Sequence, residues 1–207
     1  MLFPLPPQPM DHFEKMYSDW GYERIAGVDE VGRGPLAGPV VAAAVVLPEE
    51  GIGRKLFDSK MISSKMREDL YGLIFSRARG VGIGAIGQED IDLLNIHQAT
   101  LKAMTLAVQN LPLVPDFILI DGLHSLQLPI SQKPIRKGDQ LSNSIAAASI
   151  IAKVTRDRMM LEWHQKYPQY NFARHKGYGT KEHRKAIEEF GVCALHRKTF
   201  RGVKQYL

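Results

Sequence analysis

A chain of 207 residues, 44% hydrophobic and 24% charged, has room for one well-filled core and reads as an ordinary globular domain. Its single cysteine, Cys193, excludes an internal disulfide framework and a multi-cysteine zinc site, and fits a reducing cytoplasm. A formal net charge of +5 points to a polyanionic partner, and the basic residues crowd the last third from Lys133 to Lys204, although a solvated helix face would look the same.

Residues 1–20 carry four prolines and no basic start before an apolar run, so they read as an extended or partly ordered arm rather than a secretory signal. A strand is expected over 24–29, a glycine-rich turn over 32–38, and a second strand over 39–47, rich in small and β-branched residues. So close a return predicts an antiparallel pair. Ser63 or Ser64 caps a polar helix to Arg77, and 81–86 reads as a glycine-interrupted third strand. Residues 89–110 read as one helix, with His97, Leu101, Met104, Val108 and Leu111 as its buried stripe; this favours a core role for His97. Pro112 and Pro115 stop it. The apolar run Phe117–Asp121 reads as a buried parallel strand, and 129–137 holds another short one. The longest helix covers 142–167, with Ala147, Ile150, Ile151, Val154 and Leu161 facing inward, and a last helix lies near Lys181–Phe190. Three meandering strands, a helix, then strands parallel to the first make a mixed α/β sheet.

Asp29 and Glu30 end an apolar strand, Asp121 ends another, and Asp139 precedes the longest helix. Ligands of open α/β sheets gather beyond the carboxyl ends of parallel strands, so these acids converge if the strands are neighbours. Clustered carboxylates repel, and divalent cations relieve the repulsion; an oxygen-only donor set suits Mg²⁺ or Mn²⁺ and points to two-metal phosphoryl transfer. Each acid also has a plainer role, since Asp at a strand end commonly forms a turn or a cap. Successive strand residues face opposite ways, so Asp29 and Glu30 share a site only where the strand ends or bends. Gly32, Arg33 and Gly34 make either a simple tight turn or a place where a backbone approaches a sugar or phosphate.

The run Ala26-Gly27-Val28-Asp29-Glu30-Val31-Gly32-Arg33-Gly34-Pro35-Leu36 resembles the signature of ribonuclease HII, the type 2 ribonuclease H family. Further blocks similar to the family follow in order: Asp58-Ser59-Lys60, Leu94-Asn95-Ile96, Ile120-Asp121-Gly122, Lys137-Gly138-Asp139, the stretch 146–157, and 175–180. The resemblance covers roughly residues 25–201. It departs at Met61-Ile62, where lysine and leucine are usual, and at Leu123-His124, where a more polar pair is usual. It implies a ribonuclease H-like mixed sheet flanked by helices: a catalytic domain at 21–167, and a helical, basic extension at 168–207 packed on it. It implies a cytoplasmic, monomeric endonuclease that cuts the RNA strand of RNA–DNA hybrids and nicks 5′ of single ribonucleotides in duplex DNA, leaving 3′-hydroxyl and 5′-phosphate ends. The family's four metal-holding catalytic acids fall on Asp29, Glu30, Asp121 and Asp139. Its reader of the ribose 2′-hydroxyl falls on Gly32, Arg33 and Gly34, and its junction tyrosine on Tyr178, whose plainer role is a loop anchor. Lys153 is a candidate phosphate contact, or simply the partner of Asp157 four residues on, which reads as structural or supporting. His175 and His183 stay open between structure and function. The rival readings are a four-acid exonuclease on the same fold and a nucleic-acid binder without catalysis.

Overall fold

The computed structural model describes residues 10–54, 56 and 62–207; Asp58-Ser59-Lys60, Met61 and the first nine residues of the arm lie outside the described residues. Five strands lie in the spatial order β3-β2-β1-β4-β5: β1 Ile25–Val31, β2 Val40–Val46, β3 Gly80–Ile86, β4 Phe117–Asp121 and β5 Ser131–Ile135. The first three form the expected antiparallel meander, whereas β4 joins β1, and β5 joins β4, in parallel.

Period-two alternation gives the sheet two apolar faces. Ala26, Val28, Val40, Ala42 and Ala44 meet helix α4 (Ile96–Gln109), while Ala43 and Val45 meet α2 (Ser64–Arg77) and the long α5 (Asn143–Lys166). The glycines of β3 are explained by this packing. A Cβ at Gly82 or Gly84 would lie 2.1 Å from a carbonyl oxygen of α4, contributed by Ala107 and Ala103 respectively. Small residues on both elements let the helix sit directly on the backbone. Gly27 does the same for α5, where a Cβ would meet the Ser144 backbone at 2.1 Å. Ser63 caps α2 by accepting from the Met66 N–H, and Ser142 caps α5 by accepting from Ile145.

Three expectations need correction. The helix over 89–110 is two helices, α3 (Gln88–Leu94) and α4, broken at Asn95, whose φ of 69° leaves the helical region while its side chain accepts from the His97 and Gln98 N–H groups. An asparagine cap outcompetes helix continuation there. Met104, Val108 and Leu111 of the expected stripe are buried, joined by Ala99, Ala103 and Ala107, but His97 is only half-buried, edge-on to His124 with ring centroids 4.7 Å apart. On α5, Leu161 points outward and its neighbour Met160 is the buried residue.

Within the arm, His12–Asp19 forms helix α1, which stacks Tyr17 on Phe117 at 3.8 Å. Its Glu14 carboxylate accepts hydrogen bonds from the Ser144 N–H and from the Ser142 and Ser144 hydroxyls at the start of α5. A carboxylate there is favoured by the positive end of the helix dipole. At the other end of the chain, α6 (Phe172–His175) and α7 (Lys181–Phe190) enclose a separate apolar cluster with Leu36, Met160, Tyr170 and Val203. No helix among the described residues is long and apolar enough to cross a membrane.

Candidate active site

Parallel pairing of β1 with β4 runs to Val28 opposite Ile120, which sets Asp29 and Asp121 side by side one position further on. Both lie on the α5 face. Glu30 starts from the opposite face, yet β4 stops at Asp121 and leaves the edge of β1 open beyond it. Asp29, Glu30 and Asp121 each bring a carboxylate oxygen within 4.8 Å of the others.

Asp29 is buried, and its Oδ1 accepts the Glu30 N–H at 2.7 Å. Burial first, then the charges of Glu30 and Asp121, hold its carboxyl well above the usual carboxylate range, while a hydrogen bond from Ser149 works in the opposite direction. Burial also raises Glu30; Arg33, whose Nη1 lies 3.3 Å from Oε1, opposes that shift and Asp121 reinforces it. Asp121 is fixed from the other side by the Gly138 N–H, which donates to Oδ1 at 2.7 Å. The next residue, Asp139, is buried in a 3₁₀ turn (Gly138–Gln140) between β5 and α5; it stands beside the trio but outside its 4.8 Å limit. This oxygen-only set, partly buried and mutually repelling, fits a hard divalent cation.

The Gly-Arg-Gly element leaves β1 directly after the acids. Gly32 has φ +95°, and a Cβ there would strike the Arg156 side chain at 2.3 Å, so the turn needs glycine on both counts. Gly34 is different: a Cβ there would meet only Tyr178 Cε1, at 3.8 Å. Arg33 is exposed apart from its contact with Glu30. Tyr178, 42% exposed, therefore faces the Gly-Arg-Gly turn, although 144 positions separate Gly34 from Tyr178 in the chain. Lys153 is ion-paired with Asp157 at 2.7 Å, and Arg67 approaches the same carboxylate at 3.6 Å.

A buried histidine network carries the Tyr178 loop. The Cys193 N–H donates to His196 Nδ1 at 2.9 Å, which places the His196 proton on Nε2, 3.1 Å from His183 Nε2. His183 then carries its own proton on Nδ1 and donates it to the Tyr178 carbonyl at 2.9 Å. Burial lowers both imidazoles to about 4, so both are neutral at pH 7. His175 stacks on His183 at 4.5 Å and accepts the Gly177 N–H. These histidines support the site rather than line it.

Two arginines that spacing alone did not single out complete the arrangement. Arg156 and Arg197 are fully buried, and neither makes an ion pair among the described residues. For Arg156 a signal was present, since it falls between buried Ala152 and Met160 at four-residue steps on an otherwise apolar helix face. For Arg197, in an irregular basic tail, there was none.

The ribonuclease HII family model matches residues 26–203. The chain belongs to the ribonuclease HII family. A ribonuclease HII from Syntrophus aciditrophicus (strain SB) is 56% identical over 192 residues, covering 93% of this chain and 91% of that protein. The ribonuclease HII of Geotalea uraniireducens (strain Rf4) is 54% identical over 207 residues, covering 100% and 96%. The crystal structure of ribonuclease H2 from Pyrococcus horikoshii OT3 superposes with a TM-score of 0.75 at 25% identity, over 88% of this chain and 96% of that one. The mixed five-stranded sheet flanked by helices is thus the ribonuclease H-like fold, and family membership makes the chain an endoribonuclease that cleaves the RNA strand of RNA–DNA hybrids.

Proposed function

We propose that this ribonuclease HII cuts on the 5′ side of single ribonucleotides embedded in duplex DNA as well as within longer hybrids, leaving 3′-hydroxyl and 5′-phosphate ends. The observation that supports it most directly is the adjacency of two elements: the Asp29, Glu30 and Asp121 cluster, and a glycine turn facing an exposed tyrosine, joined through the Glu30–Arg33 contact. Asp29, Glu30, Asp121 and, from the adjoining turn, Asp139 would hold two divalent ions, Mg²⁺ or Mn²⁺. When bound, such ions supply Lewis-acid activation of the attacking water and neutralise charge at the leaving oxygen.

The chain's own residues do the rest. Gly138 orients Asp121 through its N–H, and Arg33 holds Glu30 until phosphate competes for the guanidinium. Gly34 leaves space for a ribose, and Tyr178 offers a ring on which the following deoxyribose can rest. Lys153 becomes a phosphate contact by exchanging Asp157 for the backbone. On this reading 21–167 is the catalytic domain, 168–207 the extension that reads the substrate, and 1–20 an arm; the enzyme works as a monomer in the cytoplasm.

The deciding experiment is a nicking assay on a DNA duplex with one internal ribonucleotide, with Mg²⁺ or Mn²⁺ present. A single nick 5′ of the ribonucleotide is expected. Degradation from the ends would instead indicate an exonuclease on this fold and sink the proposal.

A further inference from the structure

The turn after β1 is held by a guanidinium that makes no ion pair among the described residues. Arg197 Nη2 donates to the Gly32 carbonyl at 2.6 Å, Nη1 to the Arg33 carbonyl at 3.0 Å, and Nε to the Gly38 carbonyl at 2.9 Å. Arg156 grips the far end in the same manner, donating to the carbonyls of Ala37, Pro39 and Lys176 at 3.2, 2.9 and 2.9 Å. Burying a guanidinium out of contact with any described carboxylate is costly, and burial, with the charge of Arg156 adding to it and that of Asp92 opposing it, brings Arg197 down to about 9. A fold that needed only a tight turn between two strands would not require that expense.

The geometry of the peptide unit shows what the arrangement achieves. In a trans peptide the C=O and N–H of one unit point in opposite directions. The Gly32 carbonyl shares its unit with the Arg33 N–H, and the Arg33 carbonyl shares its unit with the Gly34 N–H. Both carbonyls converge on one buried side chain, so both N–H groups face the opposite way, outward from the core. Neither finds an acceptor among the described residues. Two consecutive outward donors beside a residue without a side chain form a small concavity suited to a hydroxyl or phosphate oxygen.

We infer that Arg197 is a positioning residue for ribose recognition: by fixing the Gly32 and Arg33 carbonyls, it aims the Arg33 and Gly34 N–H groups at the 2′-hydroxyl of the ribonucleotide. This rests on the proposed selectivity for a ribonucleotide in DNA. The Lys176 carbonyl held by Arg156 ties the Tyr178 loop to the same frame, so donors and tyrosine keep a fixed separation. A lysine cannot replace this fork, because it presents one ammonium centre where three separate nitrogens now bond.

Binding is measured in EDTA, without cleavage, to a short duplex carrying one ribonucleotide and to its all-deoxy counterpart. The wild-type protein should prefer the ribonucleotide, and Arg197→Lys should lose about tenfold of that preference, the scale of one or two neutral hydrogen bonds. Leu195→Ala, which loosens the same apolar cluster without touching the turn's carbonyls, is the control for stability. Preference retained in Arg197→Lys overturns the inference, as does an equal loss in Leu195→Ala at matched Tm. Absence of preference in the wild type instead removes the selectivity reading on which it rests. Should Arg197→Lys fail to fold, amide exchange in the wild type decides. The Arg33 and Gly34 N–H groups should exchange freely in the unbound protein and be protected by the ribonucleotide duplex alone; slow exchange in the unbound protein overturns the inference.

Discussion

The acidic cluster and the glycine turn lie a few residues apart on one strand, yet they are built on opposite principles. At the cluster the sheet register forces like charges together: burial raises both Asp29 and Glu30, the charge of Asp121 adds to both and that of Glu30 to Asp29, while Arg33 offsets the shift at Glu30. Cations bound there, as proposed, would relieve that repulsion. The turn and the Tyr178 loop are instead fully bonded on the inward side, by Arg197, by Arg156 and by neutral histidines donating in a consistent direction. On the proposed reading, the half that cuts is frustrated by the register of the sheet, and the half that reads the substrate is bonded in place before substrate arrives. Rigid donors lose little entropy on binding, whereas repelling carboxylates release free energy when metal binds.

The strongest test of the contrast removes one charge. Asp121→Asn keeps an oxygen for the Gly138 N–H but should lower cleavage by about 10³-fold or more, the several kcal/mol that charge stabilisation at such a site supplies. Hybrid binding should persist, and without metal the variant should melt higher than the wild type. Wild-type turnover in saturating Mg²⁺ would contradict the assignment.

Metal addition should stabilise the intact cluster. At about 100 times Kd the gain is about 2.7 kcal/mol, or roughly 5–10 °C in Tm for a domain of this size. Calorimetry with and without Mn²⁺ should show this shift in the wild type and a smaller one in Asp29→Asn.

Acid should attack the histidine network beneath the Tyr178 loop. His183 and His196 have folded values depressed to about 4 from an ordinary 6.5, so between these pH values the unfolded chain binds more protons. Their contribution is complete above pH 6.5 and drains away as pH falls toward 4. Asp29 and Glu30 act in the reverse sense: raised in the folded state, they favour folding below the ordinary carboxylate range and withdraw that support as pH climbs through their folded values. Urea unfolding across pH 4–7 should show a shallower fall for His183→Gln/His196→Gln than for the wild type; parallel curves would remove the histidines from the account.

The smallest structural effect belongs to Gly34→Ala. With only Tyr178 Cε1 at 3.8 Å to meet, the added methyl should leave Tm nearly unchanged while weakening binding of a ribonucleotide-containing duplex by about tenfold. Undiminished binding would show that Gly34 does not face the sugar.

Much of this was open to sequence reasoning. The meander, the parallel strand ending in Asp121, the Ser63 cap and the bounds of α7 follow from periodicity and capping, which are local. The break at Asn95 was visible as an asparagine before an apolar start, but helix periodicity on both sides masked it. Leu161 and Met160 differ by one position, and a 100° step per residue decided which turned inward.

By itself the sequence determined the fold class and the family, because strand alternation and a contiguous motif are written into neighbouring residues. Tertiary structure alone decided that Asp121 of β4 comes beside Asp29 and Glu30 while Asp139 stays outside that trio, that Tyr178 faces Gly34, and that Arg197 holds a turn 164 positions away from it at Arg33. The physical reason is shared: each depends on which segments, far apart in sequence, the folded core brings together, and that is settled by packing across the chain rather than along it.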